Sequence, residues 1–145
     1  MTEVECSGSY QVDGEAETML HFNPERAASE RDVKALLRHY LDAFHQSDDM
    51  MMANVLHADA DLRSLVDGQL RIMSRDEYLT LLAGREPLPS KVQRGEVLGW
   101  LDKDMSYAAL PVPAVGRPFR DSLTVARTKS GWKIISKTYA ALVGV

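Results

Sequence analysis

"RDSLTVARTKSGWKIISKTYAAL", residues 120–142, reads as two arms of alternating apolar and polar side chains around the turn Lys129-Ser130-Gly131. Alternation with period two is the signature of a strand that buries one face. Two more such stretches precede it, "VQRGEVLGWL" from Val92 and "MSYAALPVPAV" from Met105, joined by Asp102-Lys103-Asp104. Four strands linked by turns this short predict an antiparallel meander.

Upstream the period changes to that of a helix. Between Glu30 and Gln46, Val33, Leu36, Leu37, Tyr40, Leu41 and Phe44 fall on a single stripe. "SDD" at residues 47–49 offers an N-cap for a second helix with Met51, Met52, Val55 and Leu56 inward. "DLRSLVDGQLRIMS" then predicts a hairpin, because Asp67-Gly68 suits the positive φ angles of a tight turn. "SRDEYLTLLAG" predicts a third helix, with Ser74 and Glu77 as a capping box and Gly84 as a left-handed C-terminal cap. Helices first and an antiparallel sheet after them define an α+β fold with the helices on one face. The expected organisation is an N-terminal arm over residues 1–29, with "SYQV" as a short edge strand and "NPERAASE" as a linker, and one domain over residues 30–145.

Composition narrows the function classes. The 145 residues are 45% hydrophobic and 26% charged, and no apolar run approaches the roughly twenty residues of a membrane span. No membrane partner is expected. The acidic start "MTEVECSGSYQVDGEAE" lacks the features of a secretory signal, so the expected location is the cytoplasm. Cys6 is the single cysteine, which excludes an internal disulfide and a multi-cysteine zinc site. A net charge of −4 with no Lys/Arg cluster argues against nucleic acid, whose binding needs basic groups to displace phosphate counterions.

The order of elements, together with the motifs "LLRHYLDAFHQSD", "LHADADL", "VDGQLRIMSRDEYL", "FRDSLTVAR" and "GWKIISKTY", resembles the nuclear transport factor 2-like superfamily, which includes SnoaL-like and ketosteroid isomerase-like proteins. Their spacing is similar to that of its subgroup labelled putative lumazine-binding, over about Glu30 to Ala141. The resemblance implies a cone-shaped α+β barrel: three helices against a strongly curved, mixed but mainly antiparallel sheet, with a pocket at the open end. It also implies a homodimer joined through the outer sheet face. It does not imply a reaction, because the scaffold hosts isomerases, dehydratases, polyketide cyclases and non-catalytic binding modules.

Candidate site residues come from both sources. His39 and His45 lie six apart on one helix and point about 120° apart, so they cannot share a ligand. His57, Asp59 and Asp61 alternate, but they fall at a helix-to-strand junction where aspartates serve as caps and turns. No metal site and no cofactor are expected. By its resemblance to ketosteroid isomerase, "RHYLDAFHQSD" places Tyr40 on the tyrosine that donates to a substrate oxyanion, and "FRDSL" places Asp121 at or next to the second donor. The carboxylate base of that reaction falls on Ser64, and a serine does not abstract a carbon-bound proton at its ordinary pKa, which disfavours a ketosteroid-type isomerase. The catalytic candidates are Tyr40, Asp121 and His57; the ligand-binding candidates are Tyr40, Phe44, Trp100, Tyr107, Leu123, Lys137 and Tyr139.

Periodicity leaves two orientations open for the last strand, with Ile135, Lys137 and Tyr139 on one face and Ile134, Ser136 and Thr138 on the other. An inward Lys137 near Asp121 gives the pocket a polar anchor; an outward one is a solvated lysine. Asp121 has an equally plain reading as a surface carboxylate paired with Arg120 or Lys137, and Tyr40 as a buried tyrosine bonded to backbone. The expected function is a dimeric small-molecule-binding protein with a mostly apolar pocket. The alternatives are a cofactor-free enzyme of the dehydratase, isomerase or polyketide-cyclase type, and a protein-interaction module.

Overall fold

The computed structural model describes residues 23–88, 96–114 and 117–141. The chain divides into two compact units, residues 1–30 and 31–145. Of the first, the described part is residues 23–30, which open helix α1 (Pro24–Gln46). "NPERAASE" is therefore helical rather than a linker. Its physical reason is local: the Asn23 side chain accepts from the Arg26 N–H at 3.1 Å, and Pro24 takes the first helical position, where its missing N–H is no loss. The "SYQV" stretch and residues 92–95 of "VQRGEVLGWL" lie outside the described residues.

In the second unit α1 buries its predicted stripe, Val33, Leu36, Leu37, Tyr40, Leu41 and Phe44. Asp48 caps α2 (Asp49–Val55) by accepting from Met51 N–H at 3.0 Å. Met52 and Val55 are buried, Met50 is exposed, and Leu56 already belongs to β1 (Leu56–Val66). The aspartates of "LHADADL" thus lie inside a strand rather than at caps or turns. Asp67 (φ 51°) and Gly68 (φ 77°) turn β1 into β2 (Gln69–Ser74), as their sequence requires. Helix α3 (Arg75–Ala83) opens with the predicted capping box: Ser74 accepts from Glu77 N–H at 3.1 Å and Glu77 accepts from Ser74 N–H at 2.8 Å. Gly84 ends it with φ −87°, not left-handed, its N–H reaching back to the Thr80 carbonyl. Any residue adopts that geometry, so glycine is not required there.

The rest is the meander β3 (Val97–Asp102), β4 (Met105–Ala114), β5 (Arg117–Thr128) and β6 (Gly131–Ala141). The sheet order is β2-β1-β6-β5-β4-β3, antiparallel except where β1 runs parallel to β6. The sheet is mixed and does not close, since β2 and β3 are edges. Among the described residues no helix is long and apolar enough to cross a membrane.

One irregularity positions the site. Between Thr124 and Val125 the β6 partners jump from Ser136 to Ile134, so Ile135 is an extra residue in β6. A bulge of this kind bends the strand and resets its alternation. Ile134 and Lys137 consequently both face the core, at 0% and 3% exposure, although strict alternation separates them.

Candidate functional site

The pairing registers line up one row of inward positions across five strands: Arg71 on β2, Ser64 on β1, Tyr139 on β6, Asp121 on β5 and Leu110 on β4. A neighbouring row runs through Leu62, Lys137, Leu123 and Ala108. Adjacent strands lie about 4.8 Å apart, so side chains next to each other in a row are in reach.

Polar groups meet where these rows pass beneath α1 and α3. Tyr40 of α1 donates its hydroxyl hydrogen to the Asp121 carboxylate in a short hydrogen bond. The Lys137 ammonium lies 3.8 Å from the same carboxylate oxygen and donates to the Tyr78 hydroxyl of α3 at 3.1 Å. All four side chains are buried. Four rings surround the ammonium, with Nζ 4.3 Å from the Tyr78 centroid, 5.2 Å from Tyr139, 5.3 Å from Tyr40 and 5.4 Å from Phe44. A cation amid four aromatic faces and one carboxylate replaces much of its lost hydration.

The electrostatics follow from that packing. Burial pushes the Tyr40 phenol well above its ordinary value, and the charge of Asp121 pushes it further. Tyr40 is thus a neutral donor throughout the physiological range. For Lys137 burial pulls downward, but Tyr78 and Asp121 outweigh it and hold the ammonium above the ordinary lysine value. Lys137 is a fixed cation, not a neutral amine available as a nucleophile.

Beside this cluster the inner face opens into a cleft of about 460 Å³. Ser64, Val66, Arg71, Ile72, Met73, Phe119 and Tyr139 line it, and Glu77 of α3 reaches its side. Phe119 and Tyr139 meet edge to face at 6.1 Å between centroids. Tyr139 belongs to both regions, as a cleft wall and as one face of the ring cage around Lys137.

Of the residues singled out from sequence, Tyr40, Phe44, Asp121, Lys137 and Tyr139 gather at this place, with Leu123 fully buried beside Lys137. The other three sit elsewhere. His57 is half-buried at the start of β1, where its Nδ1 accepts from the Asp59 N–H at 3.0 Å. Trp100 packs edge to face on Trp132 at 5.9 Å. Tyr107 is exposed and lies over Gly99, where an added Cβ would come within 2.2 Å of its ring. Asp61 pairs with Arg63 at 3.1 Å, and among the described residues no three His, Cys, Asp or Glu side chains converge as metal ligands.

Sequence reasoning missed Tyr78, Arg71 and Phe119. Tyr78 reaches its lysine partner across 59 residues, a contact that local periodicity does not encode. Arg71 and Phe119 had a signal available, since hairpin register carries Arg71 opposite Ser64 and Phe119 two positions before Asp121 on the same face.

The fold has solved relatives. A protein described as NTF2-like and of unknown function, from Shewanella baltica OS155, is similar with a TM-score of 0.72 and 15% identity over 84% of this chain and 98% of its own. Another so described, from Silicibacter pomeroyi DSS-3, gives 0.68 and 19% identity over 80% and 98%. An NTF2-like protein with a cystatin-like fold from Novosphingobium aromaticivorans gives 0.63 and 15% identity over 95% and 94%. At these identities the likeness is one of fold. No curated protein matches the sequence significantly. The family described as "Putative lumazine-binding" matches residues 28–140, nearly the whole of the chain's second unit, and the chain belongs to that family.

Proposed function

We propose that this chain is a small-molecule-binding protein whose ligand occupies the cleft beside Tyr139, with the Tyr40–Asp121–Lys137–Tyr78 cluster as a rigid polar floor. The observation that carries the reading is that the cluster's polar groups bond to one another, with Tyr40 and Lys137 both on Asp121 Oδ2. Asp121 accepts from Tyr40 and faces Lys137, and Lys137 donates to Tyr78. A general base must also meet the substrate, and neither Asp121 nor Lys137 is among the residues that line the cleft. The buried hydroxyl the cleft adds is Ser64, at the position where the resemblance to ketosteroid isomerase requires a carboxylate. Family membership supports a ligand-binding domain, and the cleft's size suits a compact ligand.

The binding unit is a homodimer through the outer sheet face. Val97, Leu101 and Tyr107 near the β3 edge, with Leu65 and Leu70 on the β1–β2 hairpin, are large exposed apolar side chains that a second copy would cover.

Native mass spectrometry of the purified protein, before and after denaturation, tests both statements. A dimer that releases a small molecule on unfolding is expected. A steady turnover of any released compound that is abolished in Asp121→Asn with the fold intact would replace binding by catalysis, and a monomer at micromolar concentration by light scattering would reject the dimer.

A further inference from the structure

Resting on the binding reading above, we infer that the cleft selects an aromatic carboxylate and that Arg71 is its anion anchor. Arg63, Arg75, Arg85 and Arg127 each have a carboxylate, hydroxyl or carbonyl partner. Arg71, like Arg31, Arg38 and Arg120, has none among the described residues, and of these four it is the one that lines the cleft. It is also the cation of that lining.

Its place in the fold gives the guanidinium a definite target. Arg71 pairs with Ser64 across the hairpin, and Ser64 pairs with Tyr139, so a cation, a hydroxyl and an aromatic ring follow one another along a single inward row. Ser64 is 5% exposed, and its hydroxyl has no hydrogen-bond partner among the described residues. A hydroxyl without a protein partner at the edge of a cavity has its donor and lone pairs open to a ligand. A carboxylate at this point takes two parallel N–H donors from the planar guanidinium and the serine O–H as a third.

The rest of the wall sets the body of the ligand. Phe119 and Tyr139 present an edge-to-face pair, with Met73 beside them, and these surfaces suit an aromatic ring. Glu77 also reaches the cleft, but one carboxylate oxygen accepts the Ser74 N–H, and its charge sits in the first turn of α3, where the helix dipole offsets it. The inner pair of Lys137 and Asp121 is neutral as a unit, so it does not compete with Arg71 for the anion.

Calorimetric titration with 2-naphthoate and its neutral near-isostere 2-naphthamide tests the assignment. One naphthoate site is expected, weakened about tenfold in Arg71→Gln, as for loss of a charge-assisted hydrogen-bonded pair. Arg71→Lys should fall between, because it keeps the charge and loses the fork, while naphthamide affinity stays within about twofold in all three proteins. Equal affinities for the two probes, unchanged in Arg71→Gln, would overturn the anion anchor and leave the binding reading intact. If neither probe binds but the protein releases a co-purified molecule on unfolding, the class of ligand is wrong and binding stands. If neither probe binds and the protein is empty, both fall.

Discussion

Two regions share one face of the sheet and treat their polar groups in opposite ways. Beneath α1 and α3, Tyr40, Asp121, Lys137 and Tyr78 are buried and bonded to one another. One strand further toward the β2 edge, Ser64 and Arg71 line open space without partners among the described residues. A buried charge without a partner is costly, so losing one member of the inner ion pair alone should destabilise the fold. The outer group carries no such constraint and is available to a ligand. The lesson is that the buried polar groups bonded to one another mark the floor of this protein, and the unpartnered ones beside them mark its proposed site.

The largest expected effect breaks the floor. Lys137→Met leaves the Asp121 carboxylate buried without its cation and should cost about 3–5 kcal/mol in urea unfolding. Asp121→Leu should cost a similar amount by stranding the ammonium. Combined, the two substitutions remove both charges, and the double variant is expected to recover most of the loss, since well-packed apolar groups replace such pairs at little cost. A double variant as unstable as the sum of the singles would show that the pair does not act as a unit.

The same contrast appears on the pH axis. Lys137 and Tyr40 both have folded-state values raised above their unfolded ones, Lys137 because its neighbours outweigh burial and Tyr40 chiefly because of burial. Their contribution is therefore fully present below the unfolded values, about 10 for both groups, and is lost as pH rises through the folded values. Thermal melts should fall steeply in alkali above about pH 10. Tyr40→Phe should flatten that limb, whereas Arg71→Gln should leave it unchanged.

A smaller effect lies at the entrance of α3. Ser74→Ala removes one half of the capping box and should cost about 1 kcal/mol. The Ser74 backbone and side chain hold the Glu77 carboxyl below its ordinary value, so its share of stability is present above the unfolded value and fades as pH falls. In Ser74→Ala the Glu77 titration, followed by NMR, should move upward toward that of a free glutamate.

How much of this was legible follows from which contacts are local. The helix stripe from Val33 to Phe44, the Asp67-Gly68 turn and the Ser74/Glu77 box are written within a few residues of each other, and each forms as its sequence predicts. The face of Lys137 was not legible. The extra residue at Ile135 breaks the period on which the reading depends, and nothing in "GWKIISKTY" marks it, because a bulge is set by pairing with β5. Asp121 and Lys137 could be suspected together, but Tyr78 lies on a helix that reads simply as apolar packing. The start of α1 was readable and misread: Asn23-Pro24 is a helix-opening pair as well as a linker motif.

The smallest expected effect on folding is the most telling for the comparison. Arg71→Gln touches an exposed side chain at the sheet edge with no partner among the described residues, so urea unfolding should move by no more than about 0.5 kcal/mol. Stability and binding then separate: Lys137→Met disables the fold and with it any binding, while Arg71→Gln spares the fold and weakens the anionic probe. If Arg71→Gln instead destabilises as strongly as the Ser74 cap variant, the guanidinium is part of the structure, and cleft and floor are one construction. If it leaves the fold untouched and removes the preference for the carboxylate, the guanidinium at the sheet edge serves recognition and the buried cluster serves the fold.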